Sequence, residues 1–416
     1  MSKRILILGG GVIGSCTAFY LARRGHRVTV VDREAAAYEG CSFGNCGLVS
    51  PSHIVPLAAP GMVAMGLRWM LRPESPFYLK PRLDAELLRW CWKFFRASTP
   101  AHVARSAPVL AALLMAGRAG FEEIAAESDD FGFEKRGLLM LCKTQHTLDD
   151  EARLAELSRG LGIPAEVLDA RQAAALDPGA RMDILGAVFF PKDCHLAPAK
   201  FMRAIRALAE KSGVEFLWKT EASGWRVSGG RIVALKTSGG EIDADEFVIC
   251  GGAWSPRIVR ELGLTLPMQA GKGYNLTLPN PRQLPAVPSI CVEARVAVTP
   301  MGGALRFGGT MEIAGLNETI NPSRLRGIMK SVPRYFPDFT PEDFRGVEPW
   351  CGLRPCSADG LPYVGRFARY ANLSAATGHA MLGLSLAPVT GKLIAELLSG
   401  EKATCNTAAL SPDRFA

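Results

Sequence analysis

The chain has 416 residues, 48% hydrophobic and 21% charged, with a formal net charge of +8. This length exceeds what one hydrophobic core supports, so two domains are expected, and the composition excludes a disordered chain. Lys and Arg are scattered without long blocks, which reads as a mildly basic surface and speaks against nucleic acid as a partner.

Arg4 to Leu8 (RILIL) is a short apolar run of the kind that forms a buried parallel strand. Gly9, Gly11 and Gly14 follow in G-x-G-x-x-G spacing, where the strand must turn into the amphipathic run SCTAFYLARRG. Such glycines serve a tight turn, backbone close to a pyrophosphate and close helix–strand packing, and the helix N-terminus offers N–H groups to the phosphates. Val28 to Val31 is the second strand and Asp32 ends it, near the spacing of roughly 20 residues expected for the acid that takes the ribose hydroxyls. Strand, helix, strand and acid in this order predict dinucleotide binding. Asp32 would repel a 2′-phosphate, which speaks against NADP.

Residues 40–53 (GCSFGNCGLVSPSH) are too rich in Gly, Ser and Asn for a regular element and form a loop on which a flat cofactor can lie, with Ser42 and Asn45 as hydrogen-bonding groups. Met62 to Leu71 and Asp84 to Phe95 are helical in spacing and carry Trp69, Trp90 and Trp92 beside Arg68, Arg89, Lys93 and Arg96. Two readings stand: an amphipathic surface that touches membrane, or a helical subdomain over the cofactor with Trp in its core. A further helix covers Ala107 to Ala126. Strands are predicted at Gly137–Leu141, Gly186–Phe190 and Val214–Trp218, helices near 148–161 and 197–212, and a hairpin around Gly239-Gly240. Phe247 to Cys250 is a buried strand ending in Gly251-Gly252-Ala253-Trp254-Ser255, a second place where backbone approaches a ligand. A proline-rich β segment over 266–307 and a helix over 322–335 follow.

Near the C-terminus, Gly352-Leu353-Arg354-Pro355 reads as a rigid turn holding one arginine, suited either to a bidentate grip on a carboxylate or to an ordinary surface salt bridge. Gly378 to Gly383, before the last helix (about 384–398), aims a positive dipole end at whatever lies there. The eleven cysteines form no C-x-x-C pair and have no metal-ligand spacing, so no metal is expected and a reduced, cytoplasmic setting fits them. No apolar stretch is read as reaching the roughly 18 residues of a membrane span.

The glycine fingerprint, SFGNCGLVSP, KGY at 272–274, GGTMEIAG at 308–315, GLRPCSADGLP and GHAMLG run in order along nearly the whole chain. Together they resemble the D-amino acid dehydrogenase branch of the glycine oxidase and D-amino acid oxidase (DAO) superfamily. The resemblance implies an α/β fold: a Rossmann-like FAD-binding domain of the glutathione-reductase type (1–56, 190–265 and 345–416), interrupted by an α+β substrate domain (57–189 and 266–344). It also implies hydride transfer from the Cα of a D-amino acid to flavin N5, an imine product, and a non-O2 electron acceptor such as a quinone or an electron-transfer protein. A cytoplasmic protein in peripheral contact with the inner face of the membrane would suit that acceptor.

Carried over by position, the cofactor-binding set is Gly9, Gly11, Val12, Ile13, Gly14, Asp32, Arg33, Ser42, Asn45, Gly47, Leu48, Ala222, Gly251, Gly252 and Trp254, with Gly352, Gly378, His379, Met381, Leu382 and Gly383 around the flavin ring. Ala222 stands where the family usually has a valine. Relatives with a covalent flavin carry their cysteine where this chain has Gly352, so noncovalent FAD is implied. Arg354 matches the arginine that binds the substrate carboxylate, and Tyr274 and His53 fall where the family lines the substrate pocket. The chain departs from D-alanine-type relatives in having GHAMLGLSLAP for GHGTLGW, which points to D-proline or cis-4-hydroxy-D-proline. A glycine- or sarcosine-type oxidase using O2 and a tRNA-modifying flavoenzyme remain as alternatives, the latter supported only by the basic charge.

Overall fold

The computed structural model describes residues 2–128 and 130–416. β1 (Arg4–Leu8), α1 (Val12–Ala22) and β2 (Arg27–Val31) open the chain as the sequence predicts. β1 lies in the middle of a six-stranded sheet, parallel both to β2 and to β3 (Glu246–Ile249). Glu215–Leu217 extends the sheet beyond β2. Leu373–Thr377 lies parallel to β3, and Tyr363–Arg366 runs antiparallel at the outer edge. The sheet therefore draws strands from the start, middle and end of the chain.

Ile5 to Leu8 are each at most 2% exposed, because both faces of the sheet are covered. Ile5 and Ile7 meet helices on one face, while Leu6 and Leu8 meet Ile232 and Leu235 of a three-stranded antiparallel meander on the other. The meander's first strand, Ala222–Ser228, escapes the sequence reading.

The helical face is packed backbone to backbone. A Cβ on Gly391, in the last helix (Gly383–Ser399), would sit 2.7 Å from the Cys16 carbonyl of α1. One on Gly117, in the helix Pro100–Ala125, would sit 2.2 Å from the Ser385 carbonyl oxygen. That helix starts seven residues before the predicted Ala107, with Thr99 Oγ1 accepting the His102 N–H and a proline in its first turn. The segment Ala380–Ser399 is long and apolar enough to cross a membrane, contrary to the sequence expectation, but most of it is buried as a core helix.

The second sheet has nine strands. At one end Trp350–Ser357 pairs with Met268–Leu278, which pairs in turn with Ala304–Ile313. Here the structure corrects the sequence reading twice. Arg354 and Pro355 lie within a strand, not a turn, and that strand joins the larger sheet although 345–416 was assigned to the nucleotide unit. Proline is tolerated because the strand is at the sheet edge, where its outer side carries one isolated bridge, from Cys356 to His379, and no second strand.

Gly391→Ala should destabilise the protein by about 1–3 kcal/mol, as expected for overpacking against backbone. Gly160→Ala, at a helical glycine with nothing within 4 Å of the new methyl group, should be neutral or slightly stabilising. Urea midpoints of the two variants against the parent check the contrast, since helix propensity alone would favour alanine at both sites.

Candidate cofactor and substrate cavity

One large cavity, about 1060 Å³, opens at the carboxyl ends of β1, β2 and β3, where open α/β sheets place their ligands. Gly9, Gly11, Val12 and Ile13 line one end of it. Gly14 does not: a Cβ there would lie 1.9 Å from the Gly9 carbonyl oxygen, so its role is to let α1 close onto the turn. Ser42 also lines the cavity, and its Oγ accepts the Val12 N–H at 2.9 Å, capping α1 from a distant loop. The Asp32 carboxylate accepts the N–H groups of Gly10 at 2.7 Å and Glu34 at 2.9 Å, which ties the glycine turn to the end of β2.

Two lining residues here went unnoticed in the sequence. Arg206, on the helix Pro198–Lys211, donates to the carbonyls of Gly10 (2.9 Å) and Ala36 (2.8 Å). Its guanidinium lies between the rings of Phe43 and Trp218, 4.9 and 4.3 Å from their centroids. Its Nε has no partner, and burial pushes its pKa down to about 10 against the pull of Asp32 and Glu210. Trp218 itself would clash with a side chain at Gly10. The only sequence signal for this pair was an arginine on an otherwise apolar helix face.

Further along, Ala222, Gly251, Gly252 and Trp254 line the cavity, and the Arg33 guanidinium stacks 4.4 Å from the Trp254 ring. Asn45 and Leu48 line it from the predicted loop, whose shape is held by Asn45 Nδ2 to Ser42 O (2.7 Å) and Gly47 N to Asn45 Oδ1 (2.8 Å). Gly47 is set back from the cavity, at φ 70° against the Leu196 carbonyl.

On the opposite wall stand His379, Met381, Leu382 and Gly383, the last opening the C-terminal helix so that its N-terminal end faces the cavity. His379 is buried with Nε2 at 3.0 Å from Thr390 Oγ1, and burial pushes its pKa down to about 3, so it is neutral at pH 7. Gly378 and Gly352 are set back, the first at φ 79° against Tyr363, the second leaving room for the Trp350 ring. Cys351 points away, its Sγ 3.0 Å from the Glu318 carbonyl oxygen.

Arg354 lines the cavity with its guanidinium laid over Gly273, where any Cβ would lie 2.1 Å from Nη1. Its recorded hydrogen bond is to the Thr310 carbonyl at 2.9 Å, and no ion pair among the described residues involves it. A cationic fork facing a cavity without an acidic partner is equipped to take a carboxylate. Tyr274 is corrected: it does not line the cavity. It lies on the other face of its strand, 1% exposed, with its hydroxyl 2.7 Å from Glu312 Oε2, and burial and that carboxylate raise its pKa. His53 does line the cavity, beside Arg295, and burial followed by the Arg295 charge pushes its pKa down to about 4.

The remaining wall is apolar and comes from the helices Met62–Met70 and Ala85–Ala97, through Trp69, Trp90, Phe94 and Phe95. Trp90 is 5% exposed and its Nε1 donates to the Cys356 carbonyl, whereas Trp92 is 60% exposed. Trp90 thus belongs to the core beside the cavity, and Trp92 faces solvent.

The sequence pattern of the family described as FAD dependent oxidoreductase matches residues 4–397. The chain is 34% identical over 419 residues to D-amino acid dehydrogenase from Granulibacter bethesdensis, covering 99% of this chain and 100% of that one. It is 36% identical over 418 residues to the protein of that name from Cereibacter sphaeroides, covering 99% and 95%. Among solved structures, glycine oxidase from Geobacillus kaustophilus superposes over 100% of both chains with a TM-score of 0.79 at 24% identity. L-proline dehydrogenase from P. horikoshii gives 0.76 at 19% identity, over 100% of this chain and 98% of that one. The glycine turn before α1, the helix N-terminus that Ser42 caps at the cavity wall and the large cavity beside them fit FAD. The chain belongs to the family of FAD dependent oxidoreductases.

Proposed function

We propose that this protein is a D-amino acid dehydrogenase that oxidises the Cα–N bond of a cyclic substrate, D-proline or cis-4-hydroxy-D-proline, and passes the electrons to an acceptor other than O2. The observation that carries the reading is Arg354, a guanidinium without an acidic partner among the described residues that faces the same cavity as the dinucleotide cradle. The full-length relatives named D-amino acid dehydrogenase support the reaction class. The apolar Met381 and Leu384 on the cavity wall support a ring-shaped substrate with few polar groups.

Bound noncovalently, FAD supplies the two-electron acceptor. The residues that hold it are Gly9, Gly11, Val12, Ile13, Asp32, Arg33, Ser42, Asn45 and Leu48, with Ala222, Gly251, Gly252 and Trp254 on the nucleotide side and His379, Leu382 and Gly383 on the ring side. Gly14, Gly47, Gly352 and Gly378 shape the backbone behind them. Arg354 grips the substrate carboxylate with two parallel N–H bonds and so fixes where Cα sits. The apolar wall excludes water, which strengthens that grip. The first sheet and its helices form the cofactor unit, and the nine-stranded sheet, including Trp350–Ser357, forms the substrate unit.

The helices Met62–Met70 and Ala85–Ala97 also present Leu67, Leu71, Leu88, Trp92 and Phe95 to solvent at 56–85% exposure, beside exposed Arg68, Arg72, Arg89 and Arg96. Apolar side chains amid arginines fit an anionic lipid surface. The inner face of the cytoplasmic membrane, where a quinone would be reached, is the partner we assign to this surface.

Anaerobic addition of D-proline or cis-4-hydroxy-D-proline should bleach the flavin, a quinone analogue should then reoxidise it far faster than air does, and turnover in air should yield little peroxide. A high peroxide yield would favour the oxidase alternative. Arg354→Leu should raise KM about 10–100-fold at unchanged FAD content, the loss expected for hydrogen bonds to a charged group. Steady-state kinetics and flavin absorbance check both halves. Sedimentation with phosphatidylglycerol vesicles should bring down the parent in a salt-sensitive way and recover several-fold less of the variant Leu88→Ser/Trp92→Ser.

A further inference from the structure

Asp193 lies in the turn after the strand Gly186–Phe190, about 140 residues from the loop that carries Ser52 and His53, and it is 0% exposed. Its Oδ1 accepts the Ser52 N–H at 3.0 Å and its Oδ2 accepts the Ser52 hydroxyl at 2.6 Å. Ser52 Oγ is also 3.0 Å from His53 Nδ1. A hydroxyl has one proton, and here it goes to the carboxylate, so in the second contact the ring nitrogen must donate. His53 is thereby fixed as the Nδ1–H tautomer, with its lone pair on Nε2. No protein partner for Nε2 is recorded among the described residues, and His53 lines the cavity that holds Arg354.

We propose that Asp193, acting through Ser52 and His53, receives the proton that the substrate ammonium group must lose before its Cα–H bond can be broken. This rests on the dehydrogenase reading of the cavity and adds to it the proton acceptor. The step moves protons only. The substrate N–H bond breaks and its proton joins Nε2, the Nδ1 proton passes to Ser52 Oγ, and the Ser52 hydroxyl proton passes to the Asp193 carboxylate. The amine is left neutral with its lone pair free, Asp193 becomes a neutral acid, and no electrons are exchanged. After the product leaves, the reverse passage returns the proton to water in the cavity.

The charges around the relay suit this direction. Burial pushes Asp193 up to about 7, while its two hydrogen bonds from Ser52 and the nearby Arg118 hold it from rising further. Cys194 is the other titratable neighbour, with Glu122 beyond it. His53 faces Arg295 and is held near 4, so it hands protons on and does not store them. An imidazole alone in that setting would be a poor base, and the buried carboxylate behind it removes the need for one. Asp193 is thus a positioning and proton-holding residue, set back from the reacting atoms.

The relay needs an ionised Asp193, so kcat/KM of the parent should rise with pH through about 7. In Asp193→Asn, the amide Nδ2–H would donate to Ser52 Oγ, the hydroxyl would turn to Nδ1, and His53 would present Nε2–H to the substrate ammonium. The test uses FAD-loaded parent, Asp193→Asn and Ser52→Ala, checked for equal FAD content. Anaerobic flavin reduction by D-proline should fall about 100-fold at pH 7 in both variants, the scale of acid–base catalysis, and recover at pH values above the pKa of the free substrate amine. With ¹⁵N-histidine labelling and His53→Gln for assignment, His53 should read as Nδ1–H in the parent and Nε2–H in Asp193→Asn. Variants that keep the parent's acid limb, or a His53 tautomer that does not switch, overturn the relay alone. A parent whose flavin no amino acid reduces overturns the dehydrogenase reading and the relay with it.

Discussion

The contact on which the rest depends is backbone against backbone at the first strand–helix turn. Gly14 admits the Gly9 carbonyl where a Cβ would stand 1.9 Å away, and Gly9, at φ 111°, sits against the Cys250 carbonyl at the end of β3. The same kind of contact recurs where Gly391 meets α1 and Gly117 meets the last helix. No rotamer can relieve such contacts, so α1, the last helix and Pro100–Ala125 form a block of fixed geometry beneath the cavity. Two helices of that block, α1 and the last, direct their N-terminal ends toward the cavity. Their partial positive charges add to those of Arg206 and Arg354. A site so charged favours a pyrophosphate at one end and a carboxylate at the other.

Legibility followed range along the chain. The run from β1 to Asp32 could be read because its signals are local: apolar periodicity, glycine spacing and an acid at the strand end. The cavity brings Asp32 and the far C-terminal Gly383 into one lining, and the motif order along the sequence is enough to anticipate that both belong to it. What escaped were facts about pairing. Arg354-Pro355 looks like a turn unless the strand is known to be an edge, and edge position is a property of the whole sheet. Arg206, Trp218 and Asp193 are single residues whose meaning comes from partners more than a hundred positions away, Gly10, Phe43 and Ser52 among them. Gly352 and Gly378 were found by motif, but the cavity does not reach them; they serve Trp350 and Tyr363 instead.

Tyr274 shows the same limit in its sharpest form and also explains the site. Across the ladder, Gly271 pairs with Arg354 and Gly273 with Gly352, whereas Lys272 pairs with Leu353 and Tyr274 with Cys351. Directly opposed residues share a face, so the Arg354 guanidinium lies over Gly273 on one face of the strand pair, while Lys272 and Tyr274 project from the other. On the far face Lys272, 2% exposed, is 3.6 Å from Glu312, and Tyr274 donates to that carboxylate: cation and anion neutralise each other there. On the near face Gly273 leaves Arg354 room to lie flat, and no acid among the described residues pairs with it. The partner strand breaks register opposite Lys272 and Tyr274, where Thr310 takes φ 67° and turns its carbonyl onto Arg354. A bulge of this kind re-aims one group without disturbing the ladder on either side. A slip of one residue would exchange the two faces, burying the unpaired arginine and turning a satisfied ion pair toward the cavity. Charge left uncompensated on one side of a single strand pair, and compensated on the other, is therefore what makes this edge of the sheet a binding surface.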